Sequence, residues 1–281
     1  MFMLVRAFAY ALLLLPLTYC TAGAAPVVFG ARTIEIPAPE NFQALAQRRP
    51  QVITMTQAAV PDGVRVVDVY ATAAITASLG AGKQPELGRY FVLEVLRSDD
   101  GKPETFDQYA NNSDFVEAEL RRRVENEREQ NDQLAAQASQ RLHKPFGEIR
   151  AALGIGSEFL GVTRKEPWGL FFSLKTKKAD GTLTINSIAL VDVDYQVPSL
   201  LVYAPYRNAA DRFWAEQAVL DWAKALRAAN PDDPAIAGTL SNSSWTNKLS
   251  PEDFERIGRD VGALIGVIAV VVWSSRRKRK K

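Results

Sequence analysis

Short apolar–polar alternations and two longer stretches of helical period divide the chain into elements. "VRVVDVYAT" (Val64–Thr72) is β-branched and alternates, so it reads as a strand, and "GRYFVLEVLRS" (88–98) reads as a second. A shorter strand is expected at 33–36, before Pro37 and Pro39, with a short helix following at 40–48. The small apolar stretch 71–81 fits no single period. Ser113 is placed to cap a long helix over 113–142, with Asp114 and Glu117 in its first turn where negative charge suits the dipole. Val116, Leu120, Val124, Leu134, Ala138 and Leu142 fall near one side of it, interrupted by Arg128 and Asn131. Its run "ELRRRVENEREQNDQ" lacks a continuous heptad seam and reads as a solvated face, and Pro145 is expected to end the helix.

Four more strands are expected at 157–164, 168–176, 182–195 and 199–204, separated by short turns that suit an antiparallel meander. A helix then runs from Ala209 to Ala229, capped by Asn208, carrying a stripe of Trp214, Ala218, Trp222 and Leu226, and stopped by Asn230-Pro231. These elements make the expected fold class α+β, an antiparallel sheet with a long central helix and a C-terminal packing helix. The order of strand, "IPAPENF" turn, paired strands, long helix and meander, closed by "SLLVYAPYRNAADRFWAEQAVLDWAKALRAAN", resembles the Mog1/PsbP-like α/β/α sandwich and similar bacterial envelope proteins. That resemblance spans about residues 33–230 and implies docking or assembly rather than a shared chemistry; no functional residue carries over.

Both ends differ from this body. "MFMLVRAFAYALLLLPLTYCTAGAA" has Arg6, a short apolar stretch and an Ala22-Gly23-Ala24 site, and so reads as a cleaved signal over 1–24. Cys20, the only cysteine, also invites a lipid-attachment reading, but Tyr19 before it departs from the usual small residue. The extracytoplasmic domain is then 25–230, and a Pro/Asn/Ser/Thr-rich linker spans 231–256. An apolar segment at 257–275 is expected to be a transmembrane helix, with a basic cytoplasmic tail at 276–281. Its uninterrupted apolar core, 261–273, is short for a bilayer, so Arg259 and Asp260 must snorkel or pair at one end. The basic residues at both ends place the body across the membrane, in the periplasm of a bacterium with its C-terminus cytoplasmic, and the tail against anionic headgroups. Gly262 and Gly266 form a G-x-x-x-G through which two spans could approach as a weak homodimer.

Charge and candidate chemistry narrow the picture further. Arg6 and the six terminal basic residues are seven of the 34 Lys and Arg, and all 32 acids lie between Glu35 and Asp260. The body therefore has a net charge of −5 and lacks the basic excess a nucleic-acid binder needs. His143 is the sole histidine, no G-x-S-x-G accompanies a serine, and a zinc site would need several His or Cys ligands. "GAGK" (80–83) lacks the phosphate-loop spacing, and "LGIGSEFLG" lacks the dinucleotide fingerprint. Asp192 and Asp194 alternate within "VDVDYQ", so they read as the polar face of a strand or, less simply, as paired acids for a cation or acid–base work. No catalytic, cofactor or metal residues emerge. The expected role is a non-catalytic, membrane-tethered protein that binds an envelope partner or supports an assembly. The alternatives are a carboxylate-based hydrolase and a small-ligand or lipid-binding module.

Overall fold

The computed structural model describes residues 25–29, 32–81, 88–97, 106, 114, 117–118, 121–122, 124, 127–153, 156–178 and 180–236. In chain order the elements are β1 (Ala25–Phe29), β2 (Arg32–Ile36), β3 (Phe42–Ala44), α1 (Pro50–Ala59), β4 (Val64–Thr72), α2 (Ala73–Gly80) and β5 (Tyr90–Leu96). They continue as α3 (Glu127–Leu142), α4 (Phe146–Leu153), β6 (Gly156–Glu166), β7 (Gly169–Lys177), β8 (Leu183–Val191), β9 (Ser199–Pro205) and α5 (Ala209–Ala229). Seven strands form one sheet in the order β3-β4-β5-β9-β8-β7-β6, with every neighbouring pair antiparallel. The meander β6 to β9 follows as expected from its short turns, and β9 returns to pair with β5. The fold is mixed α+β.

Alternation along the strands gives the sheet two apolar faces. On one, Val66, Val92, Phe172, Ile188 and Leu201 pack with Val52 of α1, with Ile75 and Leu79 of α2 against them. On the other, Phe91, Leu93, Phe171, Ala189 and Val202 pack with Ala215, Val219, Trp222, Ala223 and Leu226 of α5. The separate β1–β2 ribbon lies on this second face, burying Phe29, Ile34 and Ile36. Helix α5 forms where the sequence places it: the Asn208 Oδ1 accepts the Ala210 N–H at 2.9 Å, Asp211 sits in the first turn and Arg227 in the last. Its buried stripe is rotated from the expected one, because Ala215, Val219 and Ala223 face the sheet while Trp214 and Ala218 are only partly buried. Trp222 is buried, and its indole N–H donates to the Pro37 carbonyl at 2.9 Å.

One expectation changes, and two stretches gain detail. Residues 40–48 hold a short edge strand rather than a helix, since Phe42–Ala44 pairs with β4, and the helix begins later, at Pro50, which needs no N–H in the first turn. The stretch 71–81 finishes β4 and then turns helical, with the Thr72 side chain capping α2. The long helix ends at Leu142, where His143 takes a positive φ of 51°, and α4 opens directly after Pro145. Asp114, Glu117, Ala118, Arg121, Arg122 and Val124 are also helical, whereas the proposed cap Ser113, with Val116 and Leu120, lies outside the described residues.

Candidate functional site

The ribbon β1–β2 leaves a cleft of about 550 Å³ between itself and the β3–β4 end of the sheet. Val27, Ala38, Ala44 and Val67 give it apolar walls, and Arg48, Arg65 and Asp68 contribute its charges. This volume is within the range of ordinary ligand pockets.

The register explains which backbone groups face the cleft. In the β1–β2 ladder Phe29 lies opposite Arg32 and Val28 opposite Thr33. Alternation then turns the N–H and C=O of Val28 away from β2, along with the carbonyl of Pro26. The far edge of β2 behaves the same way at Glu35, but there the Asn230 side chain fills the place of a strand. Its Oδ1 accepts the Glu35 N–H at 2.8 Å, and its amide donates to the Glu35 carbonyl at 2.7 Å. β1 has no such substitute among the described residues: the Val28 carbonyl meets only a long 3.4 Å contact from Arg65 Nη2, and the Val28 side chain is 61% exposed. The ribbon is closed at Glu35 and open at Val28.

Asp68 reaches the cleft through its register. Val66 pairs with Glu94 and Asp68 with Leu93, so Val67 is an extra, bulged residue. Strict alternation through these residues would put Val64, Val66 and Asp68 on one face; because Val67 bulges, Val66 and Asp68 take opposite faces and Asp68 lies on the ribbon side. The side chain is nearly fully buried, and its Oδ1 accepts N–H groups from Leu45 (3.1 Å), Ala46 (2.9 Å) and Val69 (2.7 Å). Its Oδ2 has no hydrogen-bond partner among the described residues and is not sealed from solvent. Burial raises the carboxyl above its ordinary value while the three N–H bonds pull it back, and no described cation pairs with it. Such a group can accept a hydrogen bond or a positive charge; it faces no second carboxylate or nucleophile in the cleft lining.

On the opposite face of the sheet lies a second buried acid. Glu94 of β5 is completely buried, and neither carboxylate oxygen has a partner among the described residues. Burial alone pushes this carboxyl up to about 8, so it is protonated at neutral pH. Tyr90 and Tyr203 stack on the same face with ring centroids 4.6 Å apart, and the Tyr203 hydroxyl and the Asn186 Oδ1 are also buried without partners. The sequence offered one signal for both acids, a single carboxylate inside each apolar strand, "VRVVDVYAT" and "YFVLEVL".

The residues singled out from the sequence are placed elsewhere. Asp192 and Asp194 do not share a strand face: β8 ends at Val191, and Asp194 and Tyr195 take φ values of 48° and 62° in a tight turn bridged by Val193 and Gln196. Asp194 pairs with Arg32 at 2.8 Å and accepts the Asp233 N–H at 2.9 Å, clasping β2 to the segment after α5. His143 terminates α3, distant in role from the buried Ser173–Ser187 pair, whose hydrogen bonding runs to Glu216. Gly80 of the "GAGK" stretch closes α2, where a Cβ would fall 2.0 Å from the Arg49 guanidinium; Gly82 and Lys83 lie outside the described residues. No group of three or more His, Cys, Asp or Glu able to hold a metal occurs among the described residues. No helix among them is long and apolar enough to cross a membrane, and Cys20, Gly262, Gly266, the signal 1–24 and the expected span 257–275 lie outside them.

No protein-family model matches the chain, and no curated protein matches it in sequence. Among solved structures, the Saccharomyces cerevisiae Ran-binding protein Mog1p is 13% identical, with a TM-score of 0.29, over 74% of this chain and 92% of that one. A point mutant of protein Mog1 gives the same identity and coverage with a TM-score of 0.30. At those scores the likeness carries no argument about function.

Proposed function

We propose that this chain is a membrane-tethered bacterial envelope protein whose body, held in the periplasm, binds a protein partner through the cleft beside β1. The observation that carries the tether is the apolar run at 261–273 followed, after two serines, by six basic residues, matched at the other end by Arg6 and the A-x-A site. The partner-binding role is supported by the open edge of β1, an unpaired strand edge that other proteins cover or charge. Weak dimerisation through Gly262 and Gly266 and contact of the basic tail with anionic lipid belong to the same reading. So does a Mog1/PsbP-like sandwich, which rests on the strand order and sequence features.

A carboxylate-based hydrolase receives less support, because Asp68 and Glu94 lie on opposite faces of the sheet and do not converge. A small-ligand or lipid module would use the same cleft and is separated by what occupies it. The deciding experiment is alkaline carbonate extraction of membranes, joined to cross-linking in cells. Retention in the pellet and a reproducible copurifying protein are expected. Release into the supernatant overturns the tether, and the absence of any cross-linked protein overturns the partner.

A further inference from the structure

We propose that the cleft takes an extended peptide by strand addition to β1, with one basic side chain of that peptide seated on Asp68. The proposal deepens the partner-binding reading and rests on it for biological meaning, although the chemistry is tested separately. Three features converge on it.

The first is backbone. Val28 turns its N–H and C=O outward at the very strand that lines the cleft, and Pro26 turns out a carbonyl. An added antiparallel strand would supply the missing partners, as Asn230 does for Glu35 on the far side of the ribbon. On the far edge Asn230 closes the outward groups of Glu35, and Val28 at the cleft has no equivalent among the described residues.

The second is charge. Asp68 is held by its Oδ1 on three N–H groups, so its position is fixed before anything binds. Its Oδ2 has no partner among the described residues, and no described cation pairs with the carboxylate. A buried carboxylate without a cation is a costly arrangement, and the N–H donors offset only one of its oxygens. A Lys or Arg side chain reaching down between Val27, Ala44 and Val67 brings the missing charge on an apolar stem that these walls suit.

The third is position. β1, through Pro26, Val27 and Val28, and β4, through Arg65, Val67 and Asp68, line the same cleft, so a peptide on the open edge of β1 enters the cleft that Asp68 lines. Alternate side chains of an extended peptide point to opposite sides, so those on one side face Asp68 and those on the other face solvent. Arg48 and Arg65 also border the cleft, which disfavours a second basic residue on the buried side and admits an acidic or neutral one.

The test uses the full chain in detergent micelles and a phage-displayed library of random octapeptides. Expected winners alternate β-branched and polar residues, with Lys or Arg fixed at one position. The affinity of a selected peptide is then measured by fluorescence anisotropy, beside its norleucine counterpart at that position. The basic peptide is expected to bind at least about tenfold more tightly. Asp68→Asn keeps an oxygen for the three N–H groups and should erase that preference. Val28→Pro removes the outward N–H without touching the ribbon's own ladder and should weaken both peptides at least about tenfold. Equal binding of the two peptides, a preference that survives Asp68→Asn, no effect of Val28→Pro, or selection of no peptide would each overturn the proposal. Carbonate extraction leaves this result untouched, so failure of the tether and failure of the peptide site are read independently.

Discussion

Asp68 and Glu94 sit on adjacent antiparallel strands, one ladder step apart, and are both buried, yet their surroundings are opposite. Asp68 is anchored by three backbone N–H groups and opens to a cleft. Glu94 has neither anchor nor opening, and burial shifts its titration to about 8. The difference shows that burial alone does not make a carboxylate a binding group. Fixed donors on one oxygen and access to the other do so for Asp68, while Glu94 is a neutral acid whose ionisation the fold resists.

The largest expected effect tests Glu94. Its folded pKa lies above the unfolded value of 4.5, so the unfolded chain loses the proton first as pH rises. Stability should therefore fall from about pH 4.5 to about pH 8 and level off above, by about 5 kcal/mol from this group. Glu94→Gln should flatten that slope in denaturant titrations at a series of pH values; parallel wild-type and variant curves would contradict it. Next, Asp68→Ala leaves the Ala46 and Val69 N–H groups without an acceptor, while Leu45 still reaches the Val69 carbonyl at 2.9 Å. A loss of about 2 kcal/mol is expected by urea unfolding, against less than about 1 kcal/mol for Asp68→Asn. If Ala and Asn prove equal, the anchoring role assigned to Oδ1 is wrong. The smallest effect concerns the closure of the ribbon at Glu35. Asn230→Ala should cost about 1 kcal/mol and speed amide exchange at Glu35, leaving Val28 as it was.

Much of this architecture is legible in the sequence, and the lapses have physical causes. The β4 and β5 runs, the meander and α5 are written in β-branched alternation, turn residues and the Asn208 cap, all local signals. Residues 40–48 look helical by composition, but pairing of Phe42–Ala44 with β4 is a long-range gain that local propensity does not contain. Pro145 is a stop for one helix and, equally well, the start of the next, and only the carbonyl acceptor it offers to the Glu148 N–H distinguishes them. Asp192 and Asp194 mislead because strict alternation assumes a continuous strand, whereas Asp194 and Tyr195 are both left-handed. The cleft itself is not legible, since the ribbon that walls it is brought over β4 by packing alone. Asp68 leaves a trace, a lone acid among valines, but not the side it faces.

That side follows from the register, in which Asp68 pairs with Leu93. Removing the bulged Val67 would restore a regular ladder while Val66 kept its partner Glu94 and Asp68 its partner Leu93, so no other side chain of β4 would change face. What would change is the local bend and twist that a bulge adds to its strand. The cleft is thus adjustable by chain length as well as by residue type: one codon gained or lost at this point reshapes the floor, leaving the hydrophobic pattern of both sheet faces as it stands.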